Sequence, residues 1–277
     1  MTRQLLLIFS LVALACEEVI DLEPSGEEPR LIIDALLRAE NNGTFQLWET
    51  KVTLTDGFFG EVPVTQLEQI SLVRNPSEGE PAIFTEDDVG SGIYVEGTLG
   101  APIDPDTMLI FQVSHESGNY LATGNFMASI PYEVTYLGQS DGVDRIQVTF
   151  EDDPNKDNFY LFDFGMGEFF TTDDEFYNGQ VHSFEYSFVR SLPEGSEQEI
   201  FLLGSDEQLN NYMDQLIDQN QKEFGPFETP VGTVRGNFIN VTNIDNINSF
   251  DNVGDPDNFA LGYFAIVEEV KRTFLVE

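Results

Sequence analysis

The feature that most restricts the fold is a rhythm of short apolar runs cut by turn residues. Arg30–Leu37 is apolar and leads to Asn41-Asn42-Gly43, and Val52–Thr55 alternates before Asp56-Gly57. Ile70–Arg74 stops at Asn75-Pro76, and Gly92–Val95 is a further short run. Met108–Ser114 and Tyr120–Met127 flank Glu116-Ser117-Gly118-Asn119, which reads as a four-residue hairpin connection containing glycine. Alternation bounded by turn residues is the signature of hairpin strands. Roughly seven such strands in about 100 residues predict an immunoglobulin-like or transthyretin-like sandwich over residues 30–130.

Ile130-Pro131 reads as a boundary, and residues 131–277 predict a second, antiparallel β domain. Val134–Leu137 and Ile146–Phe150 are short strands, and the nearly continuous apolar run Phe159–Phe164 suits a strand buried on both faces. Val181–Val189 has period two, with Phe184, Tyr186 and Phe188 on one side and Ser183, Glu185 and Ser187 on the other. Phe259–Val267 and Arg272–Val276 close the chain. One α-helix is predicted over residues 205–221. Ser205 is placed as its N-cap with Gln208 as capping-box partner. Leu209, Tyr212, Met213, Leu216 and Ile217 form one apolar stripe, expected to pack on a sheet. Gly225-Pro226 and Pro230 end the helix.

Composition narrows the function classes. Of 277 residues, 50 are Asp or Glu and 12 are Lys or Arg, for a net charge of −38. A phosphate backbone needs a basic face that so few cations cannot make, which argues against nucleic acid as a partner. The 41% hydrophobic content supports real cores in spite of the charge. The aromatic set, 24 Phe and 9 Tyr against 1 Trp, leans toward β structure. A single cysteine rules out disulfide frameworks, CxxC redox pairs and thiolate zinc sites.

That cysteine has a context. Residues 1–15 read as a signal peptide, with Arg3 before an apolar run from Leu5 to Ala15 that is too short for a comfortable span. Small Ala15 directly before Cys16 is the lipobox arrangement of bacterial lipoproteins, so Cys16 is predicted to be cleaved free and to carry diacylglycerol. Two or three acyl chains give a stable anchor. Residues 16–29 follow as an acidic tether carrying Glu17, Glu18, Asp21, Glu23, Glu27 and Glu28 between Pro24, Ser25, Gly26 and Pro29. It reads as a solvated linker. Glu17 and Glu18 also resemble the signal that sends lipoproteins of Bacteroidota to the cell exterior.

The order of these features resembles a known family. The pieces are Cys16-Glu-Glu-Val-Ile-Asp21, Glu28-Pro-Arg-Leu-Ile-Ile33, the hairpin ending Tyr120-Leu-Ala-Thr123, the turn Asp173-Asp-Glu-Phe-Tyr-Asn-Gly179, the polar helix after Ser205, and Ala260-Leu-Gly-Tyr-Phe264. Together they resemble the Bacteroidota lipoprotein family called domain of unknown function 4249. The resemblance implies an outer-membrane lipoprotein working beside a SusC-type TonB-dependent transporter, capturing or lidding a nutrient. It carries no catalytic residues. Two departures are Leu36-Leu37, where an aromatic or glycine-rich continuation is expected, and an Asn/Asp-rich segment from Asn240 to Asp257.

The chemistry candidates are few. No HExxH and no cysteine free after lipidation is present. His115 and His182 each follow a serine, Ser114 and Ser183, but neighbours in a strand point to opposite faces. The carboxylate pairs Asp87-Asp88, Asp152-Asp153 and Asp173-Asp174 would need to face each other across a cleft to act on glycans. Asp153, Asn155 and Asp157 place oxygens at alternate positions, a candidate calcium loop, although Phe164 stands where an EF-hand needs Glu. Asp251, Asp255 and Asp257 form a second cluster, and plain turns explain both. Phe58-Phe59 and Phe169-Phe170 lie near glycines and read as loop aromatics that contact a ligand or partner, or fold back into a core. The sequence therefore predicts a non-catalytic, surface-facing outer-membrane lipoprotein, with the periplasmic face as the other placement. An envelope assembly factor that binds only protein is the first alternative and a surface hydrolase the second.

Overall fold

β1 (Leu31–Glu40) buries Leu31, Ile33, Ala35 and Leu37 and turns Ile32, Asp34, Leu36 and Arg38 to its opposite face. That strand organises a computed structural model describing residues 29–40, 48–55, 62–74, 80–97, 108–221, 233–242, 244 and 258–277. Antiparallel to β1 lies β2 (Trp48–Leu54), then β6 (Ile93–Glu96) and β5 (Thr85–Glu86). On its other side β1 runs parallel to β16 (Leu261–Leu275), with Ile32 opposite Leu261 and Glu40 opposite Glu269. The far half of β16 pairs antiparallel with β14 (Glu197–Ser205). β14 pairs with β11 (Phe159–Asp163), which pairs with β12 (Phe169–Asp173). The result is one long sheet in the order β5-β6-β2-β1-β16-β14-β11-β12.

Two smaller sheets cover one face of it. The first holds β3 (Gln69–Arg74), β4 (Ala82–Ile83), β7 (Met108–His115) and β8 (Gly118–Met127), with β15 (Ile239–Asn240) paired to β8. β8 also meets β16 in parallel at Ile266 and Val267. The second holds β9 (Tyr132–Ser140), β10 (Val143–Glu151) and β13 (Val181–Ser187), all antiparallel. The chain is therefore mainly β, with two cores that share the long sheet and one α-helix among the described residues.

Each covering sheet closes an aromatic core. In the first, Phe111 stacks on Phe264 at 5.0 Å, with Trp48, Ile33 and Phe238 around them. In the second, Phe162 lies between Phe150, Phe164 and Phe184, and Phe164 stacks on Tyr186 at 3.7 Å. β16 serves both: Phe264 and Ile266 enter the first core, and Val270 and Phe274 the second. Its alternate residues Ala265 and Val267 lie under the helix. Phe259–Val267 and Arg272–Val276, expected as separate strands, are thus joined in one. The polar middle hides this in the sequence. Glu268 accepts the Ser129 N–H at 2.8 Å and Glu269 lies 3.8 Å from Arg38, so charged residues are tolerated inside the strand.

Three local expectations are corrected. The β7–β8 connection is a two-residue turn, because His115 already pairs with Gly118. Phe169 and Phe170 are strand residues of β12, not loop aromatics. The turn before them is Gly165-Met166-Gly167, all three at positive φ, closed by the Phe164 N–H to the Glu168 carbonyl at 2.8 Å. Both phenylalanines are half-buried, Phe170 against Phe162 and Phe184 and Phe169 on the helix side.

The third correction concerns the helix, α1 (Glu207–Gln221). Ser205 is the last residue of β14. The N-cap is Asp206, whose Oδ1 accepts the Leu209 N–H at 2.8 Å. Gln208 then falls one position short of a capping-box partner. The apolar stripe packs as expected, with Leu209 and Met213 against Leu161, Leu203, Ala265 and Val267. Asp206→Ala is expected to cost about 1 kcal/mol in urea unfolding, whereas Ser205→Ala stays within about 0.5 kcal/mol. The reverse ranking would return the cap to Ser205.

Candidate functional site

The free face of the long sheet carries α1 over β11 and β12. Because α1 covers only that side, a groove of about 460 Å³ opens between it and β1–β2. Leu209, Tyr212, Met213 and Leu216 form the helix wall, Phe169 adds to it from β12, and Leu36 and Tyr263 form the floor. Asp34, Glu49 and Lys51 form the opposite wall. The period of β1 explains the contrast: the residues that alternate with its buried set must point here.

The groove has a defined electrostatic character. Tyr212 and Tyr263 lie with ring centroids 4.8 Å apart at 35°. Burial, and then the charge of Asp34, push the Tyr212 hydroxyl up to about 12. Burial also raises Tyr263. Asp34 stays open to solvent at the groove mouth, yet the protein mass around its carboxyl raises its pKa, opposed by Lys51, Arg38 and the Leu36 N–H. Lys51 is its cross-strand partner in register. Arg38 is already engaged. Its guanidinium lies 2.6 Å from Asp163 and 3.8 Å from Glu269, above the Phe201 ring. Asp34, Glu49 and Lys51 form no ion pair within 4 Å among the described residues.

Other candidates make contacts of their own within the fold. Asp153 Oδ1 accepts both the backbone N–H and the side-chain amide of Asn155, at 3.1 and 2.7 Å, and these bonds lower its pKa. The Asn158 amide donates to the Asp153 and Lys156 carbonyls at 2.9 and 2.8 Å, while Asp157 is exposed. The loop is thus closed on itself as an Asx turn. No three His, Cys, Asp or Glu side chains converge as a metal set among the described residues.

Asp152 and Asp174 both lie close enough to Tyr160 and Tyr177 to add to burial in raising their hydroxyl pKa. Asp152 accepts the Tyr160 hydroxyl and the Gly179 N–H, Asp174 accepts the Asn158 N–H, and Asp87 and Asp88 are exposed. A related buried acid, Asp144, accepts the Tyr136 hydroxyl at 2.6 Å and the Leu192 N–H at 2.9 Å. These bonds hold its carboxyl below the usual range and push Tyr136 up to about 12.

The histidines separate in the same way. His115 Nδ1 meets the Ser117 hydroxyl at 2.7 Å and the Ser117 N–H at 3.1 Å, and Nε2 meets the Thr65 hydroxyl at 2.9 Å. Its serine partner is therefore Ser117, across the tight turn, not adjacent Ser114. With Thr65 rather than a carboxylate on the far nitrogen, the arrangement closes the turn. His182 stacks on Tyr177 at 3.8 Å, and burial lowers its pKa.

Of the described residues singled out in the sequence as ligand or metal contacts, only Phe169 lines the groove. Phe170 points into the second core. Cys16, Glu17, Glu18, Phe58, Phe59, Asp251, Asp255 and Asp257 lie outside the described residues. Sequence reasoning gave Tyr212 only a packing role and did not single out Asp34 or Tyr263 as site residues. Asp34 had a signal: it is an acid at the centre of the apolar run Leu31–Leu37.

The molecule is a mainly β protein with a helix-walled groove on its long sheet. The chain belongs to the family described as domain of unknown function (DUF4249), whose model matches residues 17–273. The match spans both cores and begins at Glu17. No curated protein matches the chain.

Proposed function

We propose that this protein is a lipid-anchored outer-membrane lipoprotein, facing outward, that binds a ligand without catalysis beside a SusC-type TonB-dependent transporter. One observation carries the reading: an apolar signal segment ends at Ala15-Cys16, and the family match starts at the next residue. The lipobox supplies the anchor. The family resemblance supplies the transporter as partner. The groove beside α1 supplies a place for a small ligand, since 460 Å³ lies within the usual size of such sites, about 300–1,000 Å³.

Affinity capture of the tagged protein from solubilised outer membranes, followed by mass spectrometry, tests the partnership. A TonB-dependent transporter in stoichiometric amount is expected. Recovery of envelope assembly factors in its place would favour the assembly role and overturn the transporter reading.

A further inference from the structure

We propose that the groove between α1 and β1–β2 takes an organic cation, an ammonium group carried on an aromatic or aliphatic body. The inference deepens the ligand-binding reading and rests on it for its biological use. The two walls differ in chemistry, so the ligand must be amphiphilic. Leu209, Met213, Leu216 and Phe169 offer apolar contact, and Tyr212 and Tyr263, packed on each other with ring centroids 4.8 Å apart, add aromatic surface. The far wall offers charge.

The sign of that charge follows from counting the groups without ion-pair partners. Arg38 lines the groove, but Asp163 at 2.6 Å and Glu269 at 3.8 Å neutralise it. That leaves Asp34 and Glu49 against Lys51, one excess negative charge. Asp34 is open to solvent, so an ammonium group can reach its carboxylate directly, whereas a second anion would meet like charge. Tyrosine faces attract cations through their quadrupoles, so the aromatic pair and the carboxylates favour the same ligand charge. An anionic ligand would meet Lys51 with two carboxylates on the same wall.

Isothermal titration of the full-length protein in detergent tests this, with phenylethylammonium chloride and sodium 3-phenylpropionate as probes of similar size and opposite charge. Saturable one-to-one binding of the ammonium probe is expected, with the carboxylate probe weaker by roughly tenfold or more. Asp34→Asn and Glu49→Gln should each weaken the ammonium probe severalfold, and Lys51→Met, which removes a positive charge from the same wall, should tighten it. Glu49 is exposed, so its variant keeps the test open if Asp34→Asn disturbs the fold. Preference for 3-phenylpropionate, absence of saturable binding, or ammonium binding indifferent to both acidic variants would overturn the assignment. Titration uses the isolated protein. A failed capture of the transporter with ammonium binding intact would therefore remove the partnership and leave the cation site standing.

Discussion

A Cys16→Ser protein is expected to leave the membrane fraction and to take up no fatty acid. Cells fed a clickable fatty acid should label the wild-type band and leave the variant dark. The size of the effect follows from the chemistry of the anchor. One acyl chain gives only reversible attachment, with an association constant of about 10⁴ M⁻¹, and stable anchoring needs a second chain or another signal. The tether supplies no basic patch to replace the lipid, since residues 16–29 carry six acids and no Lys or Arg. Nor is any helix among the described residues long and apolar enough to cross a membrane. Equal label in both proteins would end the lipoprotein reading. Residue 16 lies upstream of β1, so the soluble variant should unfold at the same urea concentration as the wild type.

The second large effect is structural. Gly262 stands at the start of β16 with φ +90°, and a Cβ there would come within 2.0 Å of the Ile33 carbonyl oxygen. On its other side, a Cβ at Gly236 would lie 1.5 Å from the Gly262 oxygen. Backbone therefore touches backbone on both sides, and no side chain can turn away to make room. Gly262→Ala is expected to cost roughly 3–5 kcal/mol, summing the strain of the positive φ and the displacement of β1. That is a large part of the usual stability of about 5–15 kcal/mol. Urea unfolding followed by Trp48, the only tryptophan and buried in the first core, reads it directly. Gly138→Ala is the control, with φ +84° and nothing within 4 Å of its Cβ, at about 1 kcal/mol. If both variants shift the midpoint equally, the close approach of the three chain segments is not what holds Gly262.

Much of the architecture was legible because strand alternation is a local property. The faces of Val181–Ser187 and the stripe of α1 follow from side-chain period alone. What escaped is nonlocal. Nothing near Glu268, Glu269 and Lys271 announces that Ser129, Arg38 and Glu199 wait for them, so β16 reads as two strands. Nothing around Ser205 says that β14 runs through it and hands the cap to Asp206. The groove was less visible still. Its charged wall comes from β1–β2 and its aromatic pair from α1 and β16, far apart in the chain, so neither half is a motif alone. Phe169 was picked as an aromatic near glycines and reached the groove through a different local structure, a strand.

β16 sits at the centre of the long sheet yet follows every other described strand in the chain. As the polypeptide emerges N-terminus first, β1 has β2 on one edge and an open edge on the other until Leu261 onward is made. β14 likewise keeps an open edge until the same segment arrives. Such long-range closure is slow, because loop entropy is spent before the contacts form. The order of synthesis and the order of assembly therefore run in opposite directions. A polypeptide built this way leaves the middle of its long sheet open until its last strand is added.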